Sequence, residues 1–315
     1  MAAWFSHDYA LPQRAPLADA RRAAGYASWI GSLGGGRPSA VLDAGCGSGA
    51  LLAALGDRWP GARLTGFDPA IPRDAVSPGG ARMLRGGEER VAGETFDLVV
   101  SVNAIEHTSD PRRFLAALAD ALAEDGTLVL VCPDGESVGT ELLIADHLHS
   151  FSRRALVALG RAVGLKALAH ERRDGFQMVV LHRGAAAVSD AAPLDAAGLA
   201  AGREALLCRW LNLDEALAAR LPPRLPTFGA GEAAALLRAY APAAWARTEQ
   251  LMLDDPGDAW PLDRPVVGYR PAESVGDPIL LAVSATGEPG LAHRLRADGW
   301  NPIGTADLLR AEVAA

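Results

Sequence analysis

Two α/β units in tandem are predicted. The first is an open, mostly parallel sheet that closes in an antiparallel pair, and the second is a smaller sheet of the same kind. Three observations carry this reading. Between residues 40 and 183 short apolar runs alternate with amphipathic stretches, the pattern of a parallel sheet wrapped by helices. Two strand-like runs near the end of that region are joined by Arg173-Asp174-Gly175, and Asp-Gly between such runs signals a hairpin. After an alanine-rich stretch the alternation resumes at Arg224. A length of 315 residues agrees with two domains at roughly 150 residues each.

Strands are expected at 40–42, 63–67, 96–102 and 127–132, with helices at 50–58, 111–123 and 153–163 between and after them. In the second helix Phe114, Leu115, Leu118 and Leu122 keep helical spacing, and Gly126 after Glu124 and Asp125 reads as its stop. The runs 165–172 and 176–182 form the closing hairpin. Residues 184–193 are small and polar and read as a linker. Residues 194–221 read as a long helix with an apolar stripe through Leu206, Leu207, Trp210, Leu211 and Leu217, ended by Pro222-Pro223. Strands at 225–228, 249–253 and 279–283 and helices at 232–240 and around 291–297 make up the second unit. The domain division is therefore 1–183, a linker and helix at 184–223, and 224–315.

A net charge of -8 gives no whole-protein basic footprint, so a nucleic-acid partner is not expected. Cys46, Cys132 and Cys208 are odd in number, far apart, and lack the spacing of a zinc site or a disulfide framework, which fits a reducing compartment. The N-terminus, with Trp4, His7 and Asp8, lacks the basic start and apolar run of a signal peptide, and no run is long enough to span a bilayer. A cytoplasmic protein without a membrane span is the expectation.

The most informative stretch is Val41-Leu42-Asp43-Ala44-Gly45-Cys46-Gly47-Ser48-Gly49-Ala50, a strand that turns through three alternating glycines into a helix. Glycine permits the tight turn and the close approach of a ligand, and backbone N–H groups at the helix start favour a negative group. Such turns also serve helix packing alone. Here Leu64-Thr65-Gly66-Phe67-Asp68-Pro69 follows, placing an acid at the end of the next strand, about 20 residues on, where a carboxylate meets ribose hydroxyls. The combination resembles the class I S-adenosylmethionine (SAM) dependent methyltransferases over residues 40–182, whose first motif is an acid followed by G-x-G-x-G. The run Phe96-Asp97-Leu98-Val99-Val100 and the closing hairpin agree with it. The fold implied is a Rossmann-like SAM methyltransferase sheet with an antiparallel end. A nicotinamide dehydrogenase would also accept Gly45-x-Gly47-x-x-Ala50, but Asp43 suits a ligand with a cationic amino-acid tail better than a pyrophosphate, and SAM stands ahead of NAD. By the resemblance, Gly45, Gly47 and Gly49 shape the wall around the methionine part of SAM, Asp68 holds the ribose, Glu88 is a partner for the adenine amino group, and Asp43, Cys46, Pro69 and Asn103 belong to the cofactor-binding set.

SAM brings its own electrophile, so the protein mainly aligns an acceptor and excludes water. A base is needed only where the acceptor must lose a proton. The segment Asn103-Ala104-Ile105-Glu106-His107 follows the fourth predicted strand on the cleft side, and His107 is the first choice for a base, with packing on the cofactor as the alternative. The segment Asp146-His147-Leu148-His149-Ser150-Phe151 resembles the H-x-H-x-F-S run of many small-molecule members. Glu106, His107 and His147 are the catalytic candidates; His149, His7 and Tyr9 are the substrate candidates. Some relatives bind a metal through E-x-x-E-H and a later histidine. Here Asn103 replaces the first acid, and a site without metal is expected.

In the C-terminal unit Thr227-Phe228-Gly229-Ala230-Gly231-Glu232 repeats the strand, glycine turn and helix order. Residues 225–309 resemble the Rossmann-like carboxy-terminal domain of deoxysugar C-methyltransferases, which implies a sugar-nucleotide or glycan acceptor. The cysteine-rich zinc domain of that family has no counterpart in this sequence. The leading expectation is methylation of a small molecule, with a non-catalytic SAM- or nucleotide-binding scaffold as the alternative.

Overall fold

The computed structural model describes residues 16–32, 36–77, 79–184, 194–284 and 287–305. The described residues fall into two compact units, 20–199 in the first and 200–305, with 16–19 at the start of the first helix, in the second. His7 and Tyr9 lie outside the described residues, as does most of the predicted linker. No helix among the described residues is long and apolar enough to cross a membrane.

In the first unit α1 (Pro16–Gly31) leads into β1 (Ala40–Ala44), then α2 (Ala50–Arg58), β2 (Arg63–Asp68), β3 (Ala75–Val76), β4 (Arg82–Arg85) and β5 (Phe96–Val102). The chain continues through α3 (Pro111–Asp120), β6 (Leu122–Pro133), α4 (Arg153–Ala162), β7 (Lys166–Arg173) and β8 (Phe176–His182). The eight strands lie in the order β3-β4-β2-β1-β5-β6-β8-β7. From β4 to β6 the pairs are parallel; β8 runs antiparallel to β6 and to β7, so the sheet ends in the expected hairpin.

Successive strand residues face opposite sides, and both sides of the central strands are covered. Leu42, Val99, Leu128 and Leu130 pack on one face with Phe114, Leu115 and Leu118 of α3 and Leu156 of α4. Val41, Val100, Val129 and Val131 pack on the other with Ala23, Ala27, Trp29 and Ile30 of α1 and Leu52 and Leu55 of α2. This is why the strands read as uninterrupted apolar runs. The hairpin turn holds Asp174 and Gly175 at φ 51° and 81°, the double left-handed geometry that matches the twist of two antiparallel strands.

The second predicted helix is shorter than its spacing suggests. α3 starts where Asp110 accepts the Arg113 N–H and Pro111 takes the first turn, but it stops at Asp120. The Ala121 carbonyl is taken by the Phe96 N–H, and Leu122 pairs with Phe96 as the first residue of β6, so Gly126 lies within a strand rather than at a helix end. The pairing slips between Phe96 and Leu98, the mark of a bulge. α1, β3 and β4 are elements that the periodicity does not announce.

The second unit contains α5 (Ala196–Ala218), which spans the division between the units, then β9 (Leu225–Phe228), α6 (Glu232–Tyr240), α7 (Pro242–Trp245), β10 (Thr248–Leu253), β11 (Val266–Gly268), β12 (Asp277–Leu281), α8 (Glu288–Ala297) and β13 (Trp300–Ile303). Its strands are all parallel, in the order β11-β10-β9-β12-β13. Phe228, Met252, Ile279, Leu281, Leu295 and Trp300 form its core. Gly229, at φ 114°, lets β9 pass so close to β12 that a Cβ there would lie 2.1 Å from the Ala282 carbonyl oxygen. That turn is accounted for by strand packing.

Candidate active site

The glycine turn sits at the carboxyl end of β1, the central strand of the first unit. Gly45, Gly47 and Gly49 all have left-handed φ values of 85°, 49° and 81°. The Gly45 and Cys46 N–H groups donate to the Phe67 carbonyl at 2.9 and 3.1 Å, and Gly49 donates to the Cys46 carbonyl at 2.8 Å. A Cβ at Gly45 would lie 2.5 Å from the Ala104 Cβ, and one at Gly49 would lie 2.8 Å from the Met83 sulfur. A Cβ at Gly47 would meet nothing within 4 Å. The turn is thus closed towards the protein at its ends and open at its middle. The Cys46 side chain is buried against Gly66, and burial raises its thiol pKa.

Two acids frame the turn. Asp68, at the end of β2, accepts the Gly47 N–H at 2.9 Å with one carboxylate oxygen and the Ala70 N–H at 2.7 Å with the other. A carboxylate has about four lone-pair sites, so Asp68 retains capacity for two more donors. Pro69 follows it, and the Gly86 N–H donates to the Asp68 carbonyl at 3.2 Å, which ties the loop before Glu88 to the acid. Glu88 itself faces α3, with its carboxylate 3.4 Å from Arg113. Asp43 is 1% exposed and neither of its carboxylate oxygens has a hydrogen-bond partner. Burial, with the Asp68 charge as a second cause, pushes its pKa up to about 7.

Across the turn, Asn103 follows β5, held at φ 51° with its N–H on the Val131 carbonyl. Its amide nitrogen donates to the Tyr26 hydroxyl at 3.1 Å, while its amide oxygen is buried without a partner. The next turn holds Glu106, 1% exposed, with both carboxylate oxygens unpartnered and a pKa raised to about 7 by burial. Its carbonyl accepts the Leu148 and His149 N–H groups at 2.9 and 3.2 Å, which anchors the histidine segment onto this turn.

The His107 and His147 rings meet edge to face, 4.8 Å apart. His107 Nδ1 lies 2.9 Å from the Asp146 carbonyl oxygen. A carbonyl only accepts, so Nδ1 carries the proton and Nε2 is left with its lone pair. Burial lowers the His107 pKa. At His147 burial pulls the same way, but Glu141, Glu106 and Asp146 together outweigh it and raise the value. The His147 and Glu141 side chains are 3.9 Å apart, an ion-pair contact rather than a hydrogen bond. Glu106, His107 and His147 each offer a donor atom within 4.8 Å of the others, close enough for a divalent ion. His149 instead turns its Nε2 to the Thr108 carbonyl at 3.0 Å and rests on Phe151. Arg22 and Tyr26 of α1 join this group without any motif that singles them out. Their i, i+4 spacing was the only available signal.

A glycine turn at the end of the central strand, an acid at the end of its neighbour and polar groups after β5 define a ligand-binding α/β domain of the Rossmann-like type. Residues 18–170 match the family described as Methyltransferase domain. The trans-aconitate 2-methyltransferase of Streptomyces avermitilis is 29% identical over 123 residues, which are 36% of this chain and 46% of that one. A ubiquinone biosynthesis O-methyltransferase of Rhizobium leguminosarum bv. trifolii is 31% identical over 97 residues, 28% of this chain and 38% of that one. The chain spans less than half the length of these curated relatives. A solved mitomycin 7-O-methyltransferase superposes with a TM-score of 0.44 at 19% identity, over 53% of this chain and 54% of that one.

The two buried carboxyls make stability depend on pH. Their ordinary values are 3.8 and 4.5, and both rise to about 7 in the fold. Each therefore favours the folded state fully below its unfolded value and loses that contribution as pH rises through about 7. The thermal midpoint of the ligand-free protein should fall between about pH 5 and pH 8, and Asp43→Asn, which carries no titrating group, should flatten that fall. Scanning calorimetry showing the same slope in the variant would remove Asp43 from the titration.

Proposed function

We propose that the first unit binds SAM and directs its methyl group to a nucleophilic atom of a small-molecule acceptor. The observation that carries this reading is Asp43: a buried carboxyl with no hydrogen-bond partner among the described residues, beside a turn that is open at Gly47. A ligand that presents an ammonium group to Asp43 and two hydroxyls to Asp68 satisfies both acids, and an amino acid joined to a nucleoside does so. The family match over residues 18–170 supports it. SAM, when bound, supplies a methyl on sulfonium sulfur, so the chain's own work is to hold, orient and deprotonate.

His107 is the proton acceptor in this reading. Its Nδ1–H is fixed on the Asp146 carbonyl, its lowered pKa keeps the ring neutral near pH 7, and Nε2 can take a proton from an acceptor hydroxyl. Glu106 and His147 position it, one through the backbone tie to the histidine segment and the other by ring contact. The acceptor class follows from two sources. The names of the curated relatives point to trans-aconitate, a carboxylic acid, and to intermediates of ubiquinone biosynthesis. The resemblance of residues 225–309 to deoxysugar C-methyltransferases points to a nucleotide-linked sugar. A cytoplasmic setting fits either class.

Labelled SAM offered with trans-aconitate, a ubiquinone-biosynthesis intermediate and a set of sugar nucleotides should yield a methylated product with one class and not the others. Binding of SAM with every acceptor unmodified would favour a non-catalytic scaffold. Asp68→Ala should weaken SAM binding by about 1.5–3 kcal/mol, roughly 10- to 100-fold, as loss of charged hydrogen bonds does; unchanged affinity by calorimetry removes Asp68 from the ribose.

A divalent ion is a second reading for the histidine cluster, favoured by the unpartnered Glu106 oxygens among donor atoms within 4.8 Å. The ordering without metal predicts that purified protein carries no stoichiometric metal and that chelation leaves turnover unchanged. Stoichiometric zinc or manganese by elemental analysis, with turnover lost on chelation, would reverse it.

A further inference from the structure

In the segments 103–108 and 141–150, which meet around the histidines, the buried side-chain atoms without a hydrogen-bond partner are Asn103 Oδ1, both oxygens of Glu106, Asp146 Oδ1 and His147 Nδ1. The oxygens all accept, and the ring nitrogen accepts when the imidazole is neutral. A lone unfilled acceptor needs no ligand to explain it. Here they gather on one side of a turn, around a carboxyl that is 1% exposed.

The geometry sets what can fill them. One lone-pair atom each of Glu106, His107 and His147 lie within 4.8 Å of one another, so a single atom can sit within about 2.8 Å of all three, the length of a hydrogen bond. Zinc, held at about 2.1 Å from each ligand, needs the three drawn closer together. The open side is at His107, whose side chain is 23% exposed against 10% for His147. The cluster is anchored from behind: the Glu106 carbonyl takes the Leu148 and His149 N–H groups, and the Ser150 hydroxyl donates at 2.7 Å to Glu141, whose carboxylate flanks His147.

What binds here must bring donors. A carboxylate brings only more acceptors, and a hydroxyl brings one O–H. A primary ammonium brings three N–H groups on one atom, one for each of the three converging atoms. Charge points the same way: with Glu106 ionised, it, Glu141 and Asp146 set three negative charges against Arg22 and His147, and all of these groups act on the cluster electrostatically.

We propose that Glu106, His107 and His147 bind a primary ammonium group of the acceptor, which makes nitrogen the atom that is methylated. The binding site stands by itself, while its place in methyl transfer rests on the reading above. His107 keeps the role of base: one proton passes from the ammonium nitrogen to the ring, and the electron pair stays on nitrogen as the nucleophile. Among the acceptor classes considered, this favours a sugar nucleotide that carries an amine over trans-aconitate.

Proton NMR on the full chain, kept in chelator to exclude metal and loaded with S-adenosylhomocysteine, tests the site. The His107 and His147 imidazole signals are followed as ethylammonium chloride, ethanol or sodium acetate is added. Ethylammonium should shift them saturably and bind roughly tenfold tighter than ethanol, with acetate no different from sodium chloride. Glu106→Gln keeps the size and an oxygen but loses the charge, and should cost ethylammonium roughly tenfold while ethanol changes by less than about twofold. His147→Gln serves if the first variant does not fold, and should also weaken ethylammonium selectively. No saturable shift with ethylammonium, ethanol or acetate binding as tightly, or an unchanged ethylammonium affinity in the folded variant overturns the proposal. Failure of S-adenosylhomocysteine to bind contradicts the SAM reading instead, and the same titration on unloaded protein then still reports on the ammonium site.

Discussion

The first unit depends on a carboxyl group that the protein itself does not satisfy. Asp43 sits in the most enclosed strand of the sheet, all five residues of which are buried, and its two oxygens face no donor. An unpaired buried carboxylate is costly, so the ligand-free fold is compatible with Asp43 only because the group keeps its proton up to about pH 7. The surrounding geometry follows from giving that carboxyl something to bind. The glycines let the chain turn away without covering it, Asp68 holds the turn by the Gly47 N–H, and Ala104 closes against Gly45 from β5.

The same logic extends along the carboxyl ends of the strands. Glu106 is a second carboxyl that burial keeps protonated near neutrality, and its carbonyl rather than its side chain organises the histidine segment. His107 and His147 are pushed apart by their settings, one down by burial and the other up by neighbouring acids, so that a neutral and a more basic imidazole lie in contact. Groups whose pKa values diverge in one place are what proton transfer requires. In the second unit the glycine turn is accounted for by the approach of β9 to β12 at Gly229.

Much of this was legible before any coordinates, for physical reasons. Strands covered on both faces become continuous apolar runs, so β1, β2 and β5 stand out, and Asp174-Gly175 announces a turn whose backbone few other pairs adopt. The acid, three glycines and second acid mark the site because their chemistry is local. The end of α3 was not legible: Leu122 continues the spacing of Leu118, and only the capture of the Ala121 carbonyl by Phe96, a partner distant in sequence, makes it a strand residue. β4 offers two apolar residues between arginines, too few for a period. Arg22 and Tyr26 were silent because no motif in α1 singles them out, and their partners, Asn103 after β5 and Phe176 of β8, are distant in sequence.

The central claim, that Asp43 waits protonated for a cationic ligand, is tested most directly by counting protons. Calorimetry of S-adenosylhomocysteine binding in buffers of different ionisation enthalpy measures the protons exchanged. Near pH 6 the account predicts a net release approaching about one proton, fading above about pH 8 and absent in Asp43→Asn. Binding near pH 6 with no net proton exchange, or with the same exchange in the variant, would contradict it.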